Sequence, residues 1–205
     1  MESTRPNIHY SLETIENISV LRLQSPDGLN RLTRACVTAL IEVIGRLSHE
    51  NAPPLIITGN DHFFSTGADL HEIVELTGPE ALKFSALGQT LMNLIENFPA
   101  RVIAAVRGYC MGGGLDLALA CHGRIAAPHA VFGHRGAALG LVTGWGGTQR
   151  LPRVIGKARA LQMFVAAEKL GALEALRIGL VTEIHDDPVR ASLKRLTRAR
   201  TDSLS

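Results

Sequence analysis

Apolar residues recur along the chain with two periods, about two residues in short runs and three to four in longer ones, and the alternation predicts strands interleaved with helices. Residues 9–14 and Ile18–Leu23 read as strands joined by a Glu16-Asn17 turn, and Ser25-Pro26-Asp27-Gly28 stops the second. Leu32, Cys36, Leu40, Val43, Ile44 and Leu47 then lie on one helical face, with Thr33 placed to cap its start. Pro53 and Pro54 end that helix, and Leu55–Thr58, short and rich in β-branched residues, predicts a buried strand. A polar loop covers 59–67. Pro79 begins a helix whose stripe is Leu87, Leu91, Leu94, Ile95 and Phe98, closed by Pro99.

Val102–Val106 predicts the next buried strand, followed by Gly108 and the triplet Gly112-Gly113-Gly114. The small-sided helical pattern from Leu115 to Ala120 puts the triplet where a strand feeds a helix. Short strands at 124–127 and 130–132 precede a glycine-rich stretch over 133–147. Helices are expected over 157–170 and 172–178, with Gly179 as terminator and a strand at 181–184. Leu193, Leu196 and Ala199 allow a short docking helix in a basic, polar final segment, and a solvated terminus is the alternative. Strands separated by helices predict an α/β fold, with one domain over 1–187 and a short C-terminal helix or tail over 188–205.

Composition narrows the function. With 46% hydrophobic and 20% charged residues the 205-residue chain is expected to fold rather than remain disordered. A net charge of +2 and scattered basic residues argue against a nucleic-acid partner. No run approaches 20 apolar residues, so no membrane span is expected, and three cysteines without CxxC spacing predict reduced thiols and a cytoplasmic protein. The eight histidines form neither HxH nor HExxH, so no metal is expected.

Two glycine-bearing junctions carry the candidate chemistry. Phe63-Phe64-Ser65-Thr66-Gly67-Ala68-Asp69-Leu70 and Gly108-Tyr109-Cys110-Met111-Gly112-Gly113-Gly114-Leu115-Asp116 could each aim backbone N–H groups into one cleft, suited to a developing oxyanion. A phosphate cradle is not indicated, because Leu115-Asp116 follows the triplet where a Walker loop has lysine and a hydroxyl residue. Ser65 with His62 suggests a hydrolase couple, but the glycine context favours the oxyanion.

These junctions, with Leu29-Asn30 and Gly146-Gly147-Thr148-Gln149-Arg150-Leu151-Pro152, resemble the crotonase superfamily, the enoyl-CoA hydratase/isomerase family, up to about Asp187. The resemblance implies a crotonase-like (ClpP/crotonase) spiral of repeated ββα units. It implies an acyl-CoA substrate, coenzyme A entering only as part of that substrate and no separate cofactor. The oxyanion donors are then the Ala68 and Gly113 amides, and losing one costs about 3 to 4 kcal/mol of transition-state stabilisation. Asp116 takes a position often held by a catalytic glutamate, one methylene shorter. The second family carboxylate falls at Gly136, which supplies no acid or base. Leu29, His62, Gly67, Asp69, Leu70, Gly112, His134, Gly136, Leu139 and Trp145 are expected around the substrate pocket. His134 and its neighbour Arg135 lie beside Gly136 and could replace part of the missing carboxylate's role, although surface or loop-stabilising contacts are the favoured reading; Trp145 could floor the acyl pocket, with packing favoured.

One carboxylate mildly favours double-bond isomerisation over hydration, with decarboxylation or a non-catalytic acyl-CoA-binding protein as alternatives. The same resemblance implies a homotrimer or a dimer of trimers, with C-terminal helices helping to cover the acyl pocket.

Overall fold

The computed structural model describes residues 8–202. An antiparallel hairpin of β1 (Tyr10–Ile15) and β2 (Ile18–Leu23) opens the fold. Its two-residue turn holds Glu16 and Asn17 at φ 50° and 59°, as a type I′ turn demands. β3 (Arg31–Leu32) leads to α1 (Arg34–Leu47), where the Thr33 side chain accepts from Cys36 N–H as the sequence predicts.

Beyond this start, each strand of a large sheet hands the chain to a strand of a smaller one and then to helix. β4 (Leu55–Thr58) passes to β5 (Phe63–Ser65), then through β6 (Gly67–Ala68) to α2 (Leu70–Val74) and α3 (Gly78–Glu96). β7 (Val102–Val106) passes to β8 (Tyr109–Met111) and α4 (Gly113–Ala120). β9 (Gly123–Ala126) passes to β10 (Val131–Gly133), a 3-10 turn at Gly136–Leu139, α5 (Gly147–Ile155) and α6 (Lys157–Val165). β11 (Lys169–Gly171), α7 (Ala172–Arg177), β12 (Glu183–Ile184) and α8 (Pro188–Asp202) complete it. The large sheet runs β1-β2-β4-β7-β9-β12, parallel from β2 onward, and the small one β11-β10-β8-β5. This is the expected spiral of ββα units.

Period-two alternation explains why the central strands are apolar on both sides. Leu21, Leu55, Ile57, Val102 and Ala104 face α1, α3 and α4 in the main core, whereas Ile18, Val20, Ile56, Ile103 and Ile125 face the opposite way. Ala191 and Leu196 of α8 cover that second face, so α8 docks on the sheet, although Ala199 is exposed. Buried Arg124 ties α4 to the sheet, donating to the carbonyls of Leu180 at 2.7 Å and Cys121 at 2.9 Å. Cys36, Cys110 and Cys121 are free and buried; burial pushes the Cys36 and Cys121 thiols up to about 12.

Several elements depart from the sequence pattern. The helix expected over 157–170 stops at Val165, because Ala167 turns to φ 49° and Lys169–Gly171 pairs with β10 instead. α5 is an unexpected helix with Pro152 inside it. β5 and β6 lie in what reads as a loop, and β8 occupies a junction read only as glycine-rich; these strands have two or three residues, too few to show a period.

Candidate active site

The smaller sheet decides what comes together. β5 and β8 are parallel neighbours, as are β8 and β10, so their C-terminal ends open on the same edge. Ala68 follows β5 and Gly113 follows β8. A Cβ on Gly113 would lie 3.3 Å from Ala68 N, and one on Gly67 would lie 2.8 Å from Gly113 N. The two amides are therefore close together, and Gly113, at the first position of α4, has no carbonyl one turn earlier in the helix to bond. Gly67 at φ 91° makes that approach possible, since a side chain there would strike Met111 O at 2.6 Å.

The first junction is held from behind. Ser65 Oγ donates to Asn30 O at 2.7 Å and accepts from Gly67 N at 3.0 Å, and Asn30 Nδ2 donates to Phe63 O at 2.9 Å. Ser65 is thus a buried structural hydroxyl while His62 is exposed, which removes the hydrolase couple.

Around the amides lies a cavity of about 280 Å³. Ala68, Leu70, Gly112, Gly113, Asp116, His134, Gly136, Leu139 and Trp145 line it. Leu29, His62, Gly67 and Asp69 do not. Leu29 contributes its carbonyl to Thr66 N–H, and Asp69 caps α2 by accepting from His71 N–H. The His62 carbonyl accepts from Tyr109 N–H, and Gly67 packs behind the cavity wall. These four build the junctions that carry the lining residues.

Trp145 is a packed wall, as its bulk suggests. Its indole N–H donates to Phe84 O at 3.3 Å, its ring meets the Phe84 ring at 5.3 Å, and it fills the space that glycine leaves at positions 88 and 113. The loop bearing it is fastened to α3: Ser85 and Gln89 both donate to Gly144 O, and Arg150 donates to Trp145 O while pairing with Glu96 at 2.6 Å.

His134 corrects the expectation of a surface or loop contact. It follows β10, is 5% exposed, and places Nε2 3.2 Å from Asp116 Oδ1. Thr143 Oγ1 donates to the other oxygen of Asp116. Arg135 also borders the cavity. Gly136 has no space for a carboxylate in this arrangement, because a Cβ there would meet Leu141 O at 2.6 Å. Thr143, Ile73, Leu76, Phe84 and Ser85 went unrecognised in the sequence. Phe84 and Ser85 could have been sought at helical spacing from Leu87 and Gly88, but nothing local marks Thr143.

A profile of the enoyl-CoA hydratase/isomerase family matches residues 13–204. The chain belongs to that family. It is an enzyme of the hydratase/isomerase family with the crotonase fold. It is similar to the crotonyl-CoA hydratase of Syntrophomonas wolfei, 41% identical over 175 residues that cover 84% of this chain and 67% of the relative. A probable enoyl-CoA hydratase of Bacillus subtilis is 40% identical over 174 residues, with the same two coverages of 84% and 67%. Among solved structures, an enoyl-CoA hydratase from Bacillus anthracis superposes with TM-score 0.88 at 30% identity, over 93% of this chain and 76% of that one. Pseudomonas aeruginosa DspI superposes with TM-score 0.89 at 31% identity, over 96% and 76%. Among the described residues of this family member no helix is long and apolar enough to cross a membrane.

Proposed function

We propose that the protein acts on an acyl-CoA thioester, adding water to an enoyl-CoA through an enolate held at the thioester oxygen. The carrying observation is the close approach of the Ala68 and Gly113 amides at one cavity that Asp116 also borders. Two donors preset around one point stabilise charge that develops there in the transition state, at no reorganisation cost during the reaction. Leu70, Ile73, Leu76, Phe84 and Trp145 make much of the wall apolar, which suits an acyl chain and strengthens the hydrogen bonds beside it. Hydration also agrees with the names of the relatives, crotonyl-CoA hydratase and probable enoyl-CoA hydratase.

Double-bond migration is the second reading. It needs one carrier that removes a proton and returns it two carbons away, and among the described residues Asp116 is the one carboxylate lining the cavity. Coenzyme A enters with the substrate, and no separate cofactor is required by either reaction. The buried thiols agree with a reducing, cytoplasmic setting, and a homotrimer or a dimer of trimers is the assembly we infer.

Mass spectrometry of a mixed acyl-CoA panel in deuterium oxide tests the proposal. Hydration adds one water and leaves one deuterium on carbon, migration leaves the formula unchanged apart from exchange, and decarboxylation removes carbon dioxide. Binding of acyl-CoA with neither product nor exchange would make this a non-catalytic binding protein.

A further inference from the structure

Each oxygen of Asp116 already has a donor. His134 Nε2 stands 3.2 Å from Oδ1, Thr143 Oγ1 bonds Oδ2, and Asp116 as a whole is 1% exposed. The Gly147 backbone closes on the same group, since a Cβ there would lie 2.1 Å from Oδ1. Asp116 borders the cavity, but both of its oxygens are already engaged by its own partners.

His134 is placed differently. The edge-on Phe164 ring, 5.3 Å away, and Asp116 hold its imidazole on two sides. Its other nitrogen, Nδ1, has no hydrogen-bond partner among the described residues. Nor is it one of the sealed unpartnered side-chain atoms, which are Asn30 Oδ1, Arg159 Nε and Glu168 Oε2. Nδ1 is therefore not sealed off, and His134 lines the cavity. In the neutral ring, an aspartate that accepts from Nε2–H leaves the lone pair on Nδ1.

We infer that His134 is the catalytic residue that exchanges protons with the enoyl-CoA, and that Asp116 is its positioning residue. The inference rests on the enoyl-CoA reading above and supplies the function for which Gly136 has no side chain. In hydration, Nδ1 takes a proton from water as the water oxygen bonds the β-carbon. The C=C electron pair shifts toward the α-carbon and the thioester oxygen, where the Ala68 and Gly113 amides hold the charge. The enolate then collapses, its α-carbon takes the proton back from Nδ1, and His134 is neutral again beside a 3-hydroxyacyl thioester. One base serves both halves, and the Asp116 carboxylate steadies the imidazolium between them.

The test compares His134→Gln, His134→Ala and Asp116→Asn with the unaltered protein, using crotonyl-CoA as substrate and butyryl-CoA as binding probe. If the unaltered protein gives no 3-hydroxy product, the hydration reading itself fails. Given that product, His134→Gln is expected to bind butyryl-CoA normally, melt normally and lose about 10³-fold in kcat with little change in KM. Added imidazole is expected to restore part of the turnover of His134→Ala in a concentration-dependent way, a response that a merely structural histidine would not show. Turnover by His134→Gln within a few-fold of the unaltered protein, with Asp116→Asn inactive, would overturn the inference and return proton transfer to Asp116. Turnover falling only in step with melting temperature and butyryl-CoA affinity in both His134 variants would overturn it as well.

Discussion

At the scale of single residues, space is the deciding quantity. A methyl group on Gly113 would stand 2.5 Å from Trp145 Cζ3 and 3.3 Å from Ala68 N, so Gly113→Ala must push either the indole or the turn that aims the amide. An indole locked between α3 and α4 yields poorly. Turnover of crotonyl-CoA is expected to fall about 10²- to 10³-fold, the cost of one misplaced oxyanion donor, and steady-state kinetics beside a melting curve checks it. Unchanged kcat in a folded variant would mean that the Gly113 amide is not used. Asp116 and the paired amides are legible in the sequence because each lies within a short, distinctive run. Thr143 is not, because its hydroxyl matters only once a loop 27 residues downstream of Asp116 folds back over it.

At the scale of elements, helix ends and strand edges matter more than helix interiors. Asp187 starts α8: its Oδ1 accepts from Arg190 N–H at 3.1 Å and pairs with Arg107 at 3.2 Å. Burial works against its charge, but the Arg190 amide and the Arg107 guanidinium outweigh it and hold the carboxyl below the usual carboxylate range. A carboxyl depressed in the folded state stabilises it at pH values above the unfolded pKa and loses that effect as pH falls through the folded one. Asp187→Ala is accordingly expected to cost about 1 kcal/mol at neutral pH, and the gap from the unaltered protein should close in acid. Urea melts at a series of pH values measure this, and a gap that persists in acid would assign the effect to packing. Long helices were readable from their stripes, as α1 and α3 show. The end of α6 was not, because pairing of Lys169–Gly171 with β10 overrides a sequence that locally suits helix.

At the scale of the whole molecule, two outer helices leave apolar side chains uncovered. Leu161 and Val165 of α6 are 64% and 71% exposed, and Leu173 of α7 is 79% exposed. Water contact at several large aliphatic groups on successive helices favours burial against another surface, which agrees with self-association. Light scattering is expected to give a mass of three or six chains, and replacing Leu161 and Val165 by glutamate should lower it without changing the circular dichroism. A single-chain mass for the unaltered protein would remove the proposed assembly.

The sequence by itself determined the α/β alternation, the long elements and the two glycine junctions, because periodicity and backbone permissiveness act over a few neighbouring residues. It also carried the family resemblance and the absence of a carboxylate at Gly136. Only the tertiary structure decided that β5, β8 and β10 lie side by side, and hence that Ala68, Gly113, Asp116 and His134 border one cavity. The pairing of His134 with Asp116 joins residues 18 positions apart through a parallel strand register that neither segment encodes alone. Contacts of that kind arise when the whole chain is buried together, which is why the family resemblance brings this histidine to the pocket while only the fold shows that it pairs with Asp116.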